Sequence, residues 1–170
     1  MTVITAHHGT KHYGQRVGFV DEDRQLVGIG GNLSMAMPDL RDRTVHHGFH
    51  EQAYQTAIAL VRQWEDDLSR DPDRAQKSLA AVVDHWQNTT LHHGALEEEL
   101  FYPPWITEKP ELQDLITGLI HDHQLMRQWV DEIQHLLDTH QPLNQARLLV
   151  DAVLVLIRTH SEAEEETLCR

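Results

Sequence analysis

The sequence predicts an all-α fold, an up-down-up-down antiparallel four-helix bundle with a short N-terminal extension. Two observations carry this prediction. Asp71-Pro72, Pro103-Pro104 and Gln141-Pro142 interrupt the chain after residue 41, because proline disfavours helix at the residue before it. The four segments between these breaks carry apolar residues at helical spacing, and short links make long consecutive helices antiparallel neighbours. They run over about 42–70, 73–102, 110–139 and 143–168.

Two regions follow from this pattern, an extension at 1–41 and the bundle at 42–170. Within the extension, RVGFV, DEDR and QLVGI alternate as strand, turn and strand and predict a β-hairpin at 16–29. An open two-stranded edge invites a further strand, so a homodimer is one expectation. His7, His8 and His12 in the same region would either bind an adventitious metal or cover one end of the bundle.

Composition narrows the classes of partner. The chain holds 14 Lys and Arg against 27 Asp and Glu, a formal charge of −13, which argues against nucleic acid or an anionic membrane. The N-terminus lacks a basic segment followed by an apolar one, and no apolar run approaches the ~20 residues that span a bilayer. We therefore expect a cytoplasmic protein. With Cys169 as its single cysteine, the chain has neither a disulfide framework nor a cysteine zinc site.

Histidine is unusually abundant, at 14 of 170 residues. Each predicted helix carries histidine on or beside its apolar stripe, and the second and fourth also carry a glutamate there. Counting residues from the turns places His50 opposite His93 and His123 opposite His160. Five imidazoles and two carboxylates thus converge on a single layer. They belong to His46, His50, His93, Glu97, His123, His160 and Glu164.

A metal explains this layer better than separate structural roles do. A lone core histidine usually bonds a carbonyl, and a lone inward glutamate usually caps a helix or pairs with a cation. Seven such groups together would bury charge without partners, at a cost of several kcal/mol. Five imidazoles and two carboxylates without a thiolate are too many for one tetrahedral zinc. Carboxylates from two helices would bridge a pair of ions, which suits two irons or, as the alternative, two manganese ions.

Other candidate residues are interpreted more simply. His47 is the alternative ligand on the first helix, although its facing disfavours it. Tyr54 and Tyr102 lie near the level of the layer, and the pattern leaves their facing open. Five histidines fall on polar faces and are predicted to be exposed, namely His85, His92, His121, His135 and His140.

The glutamate-rich helix ends carry a family resemblance. HGALEE at 93–98, leading to LFYP at 100–103, resembles the H-x-x-x-E-E…F-P helix of hemerythrin and the hemerythrin-like (HHE cation-binding) family. HSEAEE at 160–165 looks like the matching last helix, and DHQL at 122–125 like the family's single-histidine helix. The similarity covers about 42–168. Membership implies a non-haem di-iron centre bridged by two carboxylates and an oxygen atom, with room for dioxygen on one iron.

The sequence departs from the hemerythrin pattern on two helices. Hemerythrin takes a His-x-x-x-His pair from its third helix, where this chain has Leu119, whereas the first helix here offers His46 and His50. Approximate twofold symmetry of a bundle would exchange these helices and keep the ligand total. The last helix also spaces its carboxylate by four residues, where hemerythrin uses five and an aspartate.

The hypothesis drawn from this exchange assigns seven ligands to two irons. His46, His50 and His93 would hold one iron, and His123 and His160 the other. Glu97 and Glu164 would bridge them. Dioxygen or nitric oxide would bind the iron that is poorer in ligands. We expect a metal- and gas-binding protein for carriage or sensing rather than an enzyme, and the alternatives are a di-iron oxidase or peroxidase-type enzyme and an iron-storage protein.

Overall fold

A computed structural model describes residues 42–168, and this part of the chain is helical with no strand. The helices are α1 (Arg43–Arg70), α2 (Pro72–His85), α3 (Leu91–Leu96), α4 (Tyr102–Glu108), α5 (Gln113–Asp138) and α6 (Arg147–Thr167). Two π-helical turns, Trp86–Thr90 and Glu97–Phe101, join α2, α3 and α4 into one continuous rod. The predicted hairpin at 16–29, and the homodimer that would use it, lie outside the described residues.

Aspartates set the starts of the first two helices. The Asp42 carboxylate accepts hydrogen bonds from the backbone N–H groups of Thr44 and Val45. Asp71 ends α1 in an extended conformation and caps α2 in the same way, with Pro72 in the first helical turn. Such caps satisfy donors that a helix start leaves unbonded, and the predicted break at Asp71-Pro72 is confirmed.

The predicted break at Pro103-Pro104 is wrong, because the helical path continues to Glu108 and ends at Lys109, whose φ is −139°. Both prolines lie in the first turn of α4, directly after the π turn. Each proline removes one backbone donor from the rod, and the helical path continues through both. The π turn also changes the facing of the residues it contains. At 100° per residue Leu100 would share a stripe with Val82, but Leu100 is 46% exposed whereas Val82 is buried.

The helices form a four-membered ring in which α1 and α5 each pack against both α2 and α6. The Nε atom of Arg74, near the start of α2, lies 3.4 Å from Oδ1 of Asp67, near the end of α1. His93 of α3 instead reaches His50 near the start of α1. The rod therefore runs opposite to α1. Short connections at 109–112 and 139–146 reverse the chain again before α5 and α6.

Two apolar clusters divide the interior. The larger one contains Trp64, Trp86 and Val130, all fully buried, and a smaller one contains Phe101, Ile116 and Leu119. The predicted metal ligands of the rod, α5 and α6 lie in sequence between members of the two clusters. The polar layer is therefore enclosed by hydrophobic packing on both sides. No helix within residues 42–168 is long and apolar enough to cross a lipid bilayer.

Candidate metal centre

The structure brings all seven predicted ligands together, and each is at most 9% exposed. We call this set the His/Glu cluster. Its members come from α1, the rod, α5 and α6, and their imidazole Nε2 atoms and carboxylate oxygens face one another. They are His46, His50, His93, Glu97, His123, His160 and Glu164.

One half of the cluster, which we call site A, consists of His46, His50, His93 and Glu97, whose ligand atoms lie within 4.8 Å of one another. The Nε2 atom of His50 lies 3.2 Å from that of His46 and 3.1 Å from that of His93. Glu97 Oε1 lies 2.7 Å from His93 Nε2 and 3.0 Å from His46 Nε2. Three imidazoles and a carboxylate oxygen therefore surround one point.

The other half, site B, consists of Glu97, His123 and His160. The two Nε2 atoms lie 3.1 Å apart, and His123 Nε2 lies 3.3 Å from Glu97 Oε2. Glu97 is thus shared, because its Oε1 faces site A and its Oε2 faces site B.

Glu164 also reaches both sites. Its Oε2 lies 3.3 Å from His46 Nε2 in site A and 3.8 Å from His160 Nε2 in site B. Both carboxylate oxygens are buried, and neither accepts a hydrogen bond from the residues that the structure describes. A buried carboxylate that accepts no hydrogen bond is costly. A cation between the imidazoles would satisfy it, so the residues present fit a metal.

The contacts of the imidazole Nδ1 atoms, which face away from the cluster, also fit a metal site. His123 Nδ1 lies 2.9 Å from Glu98 Oε1, and His50 Nδ1 lies 3.0 Å from Glu165 Oε1. When a metal is bound, a proton held on Nδ1 by such a carboxylate leaves the Nε2 lone pair free to bind the metal. Metal-binding histidines are oriented in this way in many proteins.

Comparison with protein families agrees with the chemistry of the cluster. The family model of the hemerythrin HHE cation-binding domain matches residues 45–170, which is 126 of the 170 residues. The chain belongs to this family. No significant match was found among curated proteins or among solved structures. The His/Glu cluster therefore lies in a metal-binding helical domain, and the predicted resemblance is confirmed.

In this hemerythrin-like domain, the carboxylates that hold the Nδ1 atoms were missed by the sequence analysis. Glu98 and Glu165 each directly follow an inward glutamate, and successive helical side chains point about 100° apart. The first glutamate of each pair therefore enters the cluster, while the second meets a histidine on a neighbouring helix. The sequence contains a signal for this arrangement in the doubled glutamate after each H-x-x-x spacing.

Charges within the hemerythrin-like cluster affect its titrating groups strongly. Burial alone would raise the pKa of Glu97, but hydrogen bonds from four imidazoles outweigh burial and hold the pKa well below its ordinary value. Burial, together with the charges of Glu97 and Glu164, raises the pKa of the Tyr102 phenol far above its ordinary range. Tyr102 is therefore a neutral, buried neighbour of the cluster, which settles its facing.

The remaining histidines of the domain lie outside the cluster. The His47 side chain is 60% exposed, and its Nδ1 lies 2.6 Å from Glu165 Oε2. This alternative ligand therefore faces away from site A. His85 is half-buried and donates to the backbone oxygen of Ala53 at 2.9 Å. The other four are exposed as predicted, namely His92, His121, His135 and His140.

Proposed function

We propose that this protein holds a non-haem di-iron centre in the His/Glu cluster and binds dioxygen or nitric oxide there, in carriage or sensing. In this proposal one iron is held by His46, His50 and His93, and the other by His123 and His160. Glu97 and Glu164 bridge the two. A pair of ferrous ions supplies the open coordination position and the electrons that reversible binding of such a gas requires.

The observation that carries the proposal is the position of Glu97. Its two oxygens face two different groups of imidazoles, at 2.7 Å from His93 Nε2 and at 3.3 Å from His123 Nε2. A carboxylate between two groups of neutral nitrogen ligands is suited to bridging two ions. Imidazole and carboxylate ligands without thiolate are suited to non-haem iron.

The two sites differ in their number of histidines, and this difference supports an assignment of the gas to one of them. Site A has three histidines and site B has two. Leu119 of α5, the position where hemerythrin's pattern would supply a further histidine, is buried among apolar side chains of the smaller cluster. An iron in site B would thus have fewer protein ligands, and we assign dioxygen or nitric oxide to it.

Cavity sizes favour a diatomic ligand over an organic substrate. The cavity that borders His93, His123 and His160 has a volume of about 20 Å³, which suffices for about one water-sized molecule. A larger pocket of about 280 Å³ lies at the surface between α1 and α6. That pocket borders His50 and Glu165, and it does not border His93, His123 or His160.

Metal content and the visible spectrum test the proposal together. Protein expressed with iron, zinc and manganese available is purified, and its metal content is measured per chain. The ferrous form is then exposed to air, returned to vacuum and exposed again. We expect about two irons per chain and a visible charge-transfer band that appears in air and disappears under vacuum.

Other outcomes would replace the proposal by one of its alternatives. A band that forms once and decays to a stable ferric product indicates an oxidase or a protein that handles iron. One zinc per chain with no iron would show that the di-iron proposal is wrong. Glu97→Ala serves as the control, since a band that survives it arises elsewhere.

A further inference from the structure

The small cavity beside the His/Glu cluster is lined by both apolar and polar residues. One turn from the histidines, towards the larger apolar cluster, it is lined by Ala53, Met126 and Ile157. Two residues with hydroxyl side chains, Ser161 and Thr90, also line it. Ser161 donates its hydroxyl to the backbone oxygen of Ile157 at 2.9 Å. Thr90 is different, because its buried hydroxyl has no hydrogen-bond partner among the residues that the structure describes.

Thr90 lacks a hydrogen bond that five of the nine threonines within residues 42–168 make. Helical threonines commonly donate to the carbonyl four residues earlier. Five threonines of the described chain make this bond, at 2.6–3.1 Å. They are Thr56, Thr107, Thr117, Thr139 and Thr159. Thr90 makes no such bond, and the residue lines the cavity.

The π turn explains why Thr90 behaves differently. Thr90 is the last residue of the turn Trp86–Thr90, and the carbonyl four residues before it belongs to Trp86. That carbonyl accepts the backbone N–H of Leu91 in the wider π-helical hydrogen bond. Turns of this kind occur often at functional sites, since they redirect side chains within a helix. Here the redirected group is a buried donor one turn before His93.

We propose that the Thr90 hydroxyl donates a hydrogen bond to the small molecule that occupies this cavity, and that it is a specificity-determining residue for the gas. This inference rests on the proposed function, because it assigns a residue to the recognition of the bound diatomic. The cavity admits about one water-sized molecule. A hydroxyl donor without an acceptor in the described part of the chain, one turn from the metal-binding histidines, favours a ligand on which negative charge accumulates.

Vibrational spectroscopy of the nitric oxide adduct tests the hydrogen bond directly. The full-length chain is loaded with ferrous iron, and iron content and thermal midpoint are measured before nitric oxide is added. The N–O stretching frequency is then recorded in H₂O and D₂O. Three variants are compared with wild type. Thr90→Val removes the hydroxyl at nearly constant volume, Thr90→Ser keeps it, and Thr56→Val removes an exposed hydroxyl that bonds its own helix.

We expect the N–O frequency of wild type and of Thr90→Ser to shift between H₂O and D₂O. Thr90→Val should lose that shift and release nitric oxide about fivefold to tenfold faster, as loss of one hydrogen bond implies. Thr56→Val should match wild type. An unchanged isotope shift in Thr90→Val would overturn this inference alone. Loss of iron in Thr90→Val but not in Thr90→Ser would also overturn it, since the hydroxyl would then support the ligands.

Failure of the proposed function has a different signature. A wild-type protein that holds iron but forms no adduct with nitric oxide or dioxygen would overturn the gas-binding proposal and this inference together. If wild type forms an adduct whose N–O frequency and isotope shift are the same in Thr90→Val, gas binding stands and only the role of the hydroxyl is wrong. The wild-type spectrum therefore separates the two failures before any variant is compared.

Discussion

Gly94 of α3 and His123 of α5 approach so closely that no side chain fits between them. A β-carbon built on Gly94 would lie 2.9 Å from His123 Nε2 and 3.0 Å from two ring carbons of the same imidazole. Glycine in a helix normally costs stability relative to alanine. Here it allows the imidazole to lie across the backbone of α3 and to reach Glu97.

Gly94→Ala should therefore displace the His123 imidazole and weaken site B. We expect iron content to fall from about two towards one per chain, because site A does not use His123. The loss of unfolding free energy should be small, since alanine is a better helix former by about 1 kcal/mol. Metal analysis and urea unfolding measure the two effects.

Gly118→Ala is the matched control, because a β-carbon at Gly118 of α5 would meet nothing within 4 Å. That variant should keep its full iron content and gain up to about 1 kcal/mol of stability from helix propensity. Full iron occupancy in Gly94→Ala would mean that His123 is not needed for site B.

Removal of single ligands should distinguish a shared carboxylate from a ligand of one site. Glu97→Ala should lose both irons, because Glu97 is the residue common to sites A and B. His46→Ala should retain a two-iron centre of lower stability, with faster loss of iron to a chelator. His47→Ala, which changes an exposed side chain, serves as the control. An unchanged, fully occupied centre in His46→Ala would contradict the assignment of the extra histidine to α1.

The glutamates that hold the Nδ1 atoms should control iron affinity from outside the cluster. Glu98→Gln and Glu165→Gln remove the negative charge beside His123 and His50. Changes at such positions commonly cost 10–100-fold in metal affinity, and chelator competition would measure the loss. Glu99→Gln and Glu166→Gln alter the next, exposed glutamate of each run and should have no effect. Equal losses in all four variants would instead indicate a general effect of net charge.

Acid should destabilise the end of the bundle where α1 meets α2, through protonation of Asp67. A hydrogen bond from Gln63 and the charge of Arg74 hold the pKa of Asp67 below its ordinary value of 3.8, although burial opposes them. Because the folded pKa is the lower one, the stabilisation is fully present above pH 3.8 and is lost as pH falls through the folded pKa.

Urea unfolding of metal-free wild type and Asp67→Asn between pH 3 and pH 6 tests this sign. The difference in unfolding free energy should be constant in the upper part of the range and shrink as pH falls below about 4. A difference that grows with falling pH would contradict the lowered pKa. The substitution leaves every residue of the His/Glu cluster unchanged, so contributions from the cluster cancel in the difference.

Much of this protein follows from local patterns in its sequence. The break at Asp71-Pro72 follows from proline and aspartate chemistry. The facing of His93 and Glu97 follows from the helical period, since both share a stripe with buried apolar residues. The pairing of His50 with His93 follows from equal distances to a turn. Each of these depends on one helix or on one connection, so the chain alone determines it.

The tertiary structure decides what depends on backbone register or on a neighbouring helix. The π turns at Trp86–Thr90 and Glu97–Phe101 change the hydrogen-bond register, so a constant 100° per residue misplaces Leu100. The helix also continues past Pro103, where proline chemistry alone predicts its end. Glu98 and Glu165 acquire their role only when another helix presents an imidazole to them. The partner of a side chain on the flank of a helix depends on how the neighbouring helices are rotated about their axes. A helical wheel drawn for one helix does not give that rotation.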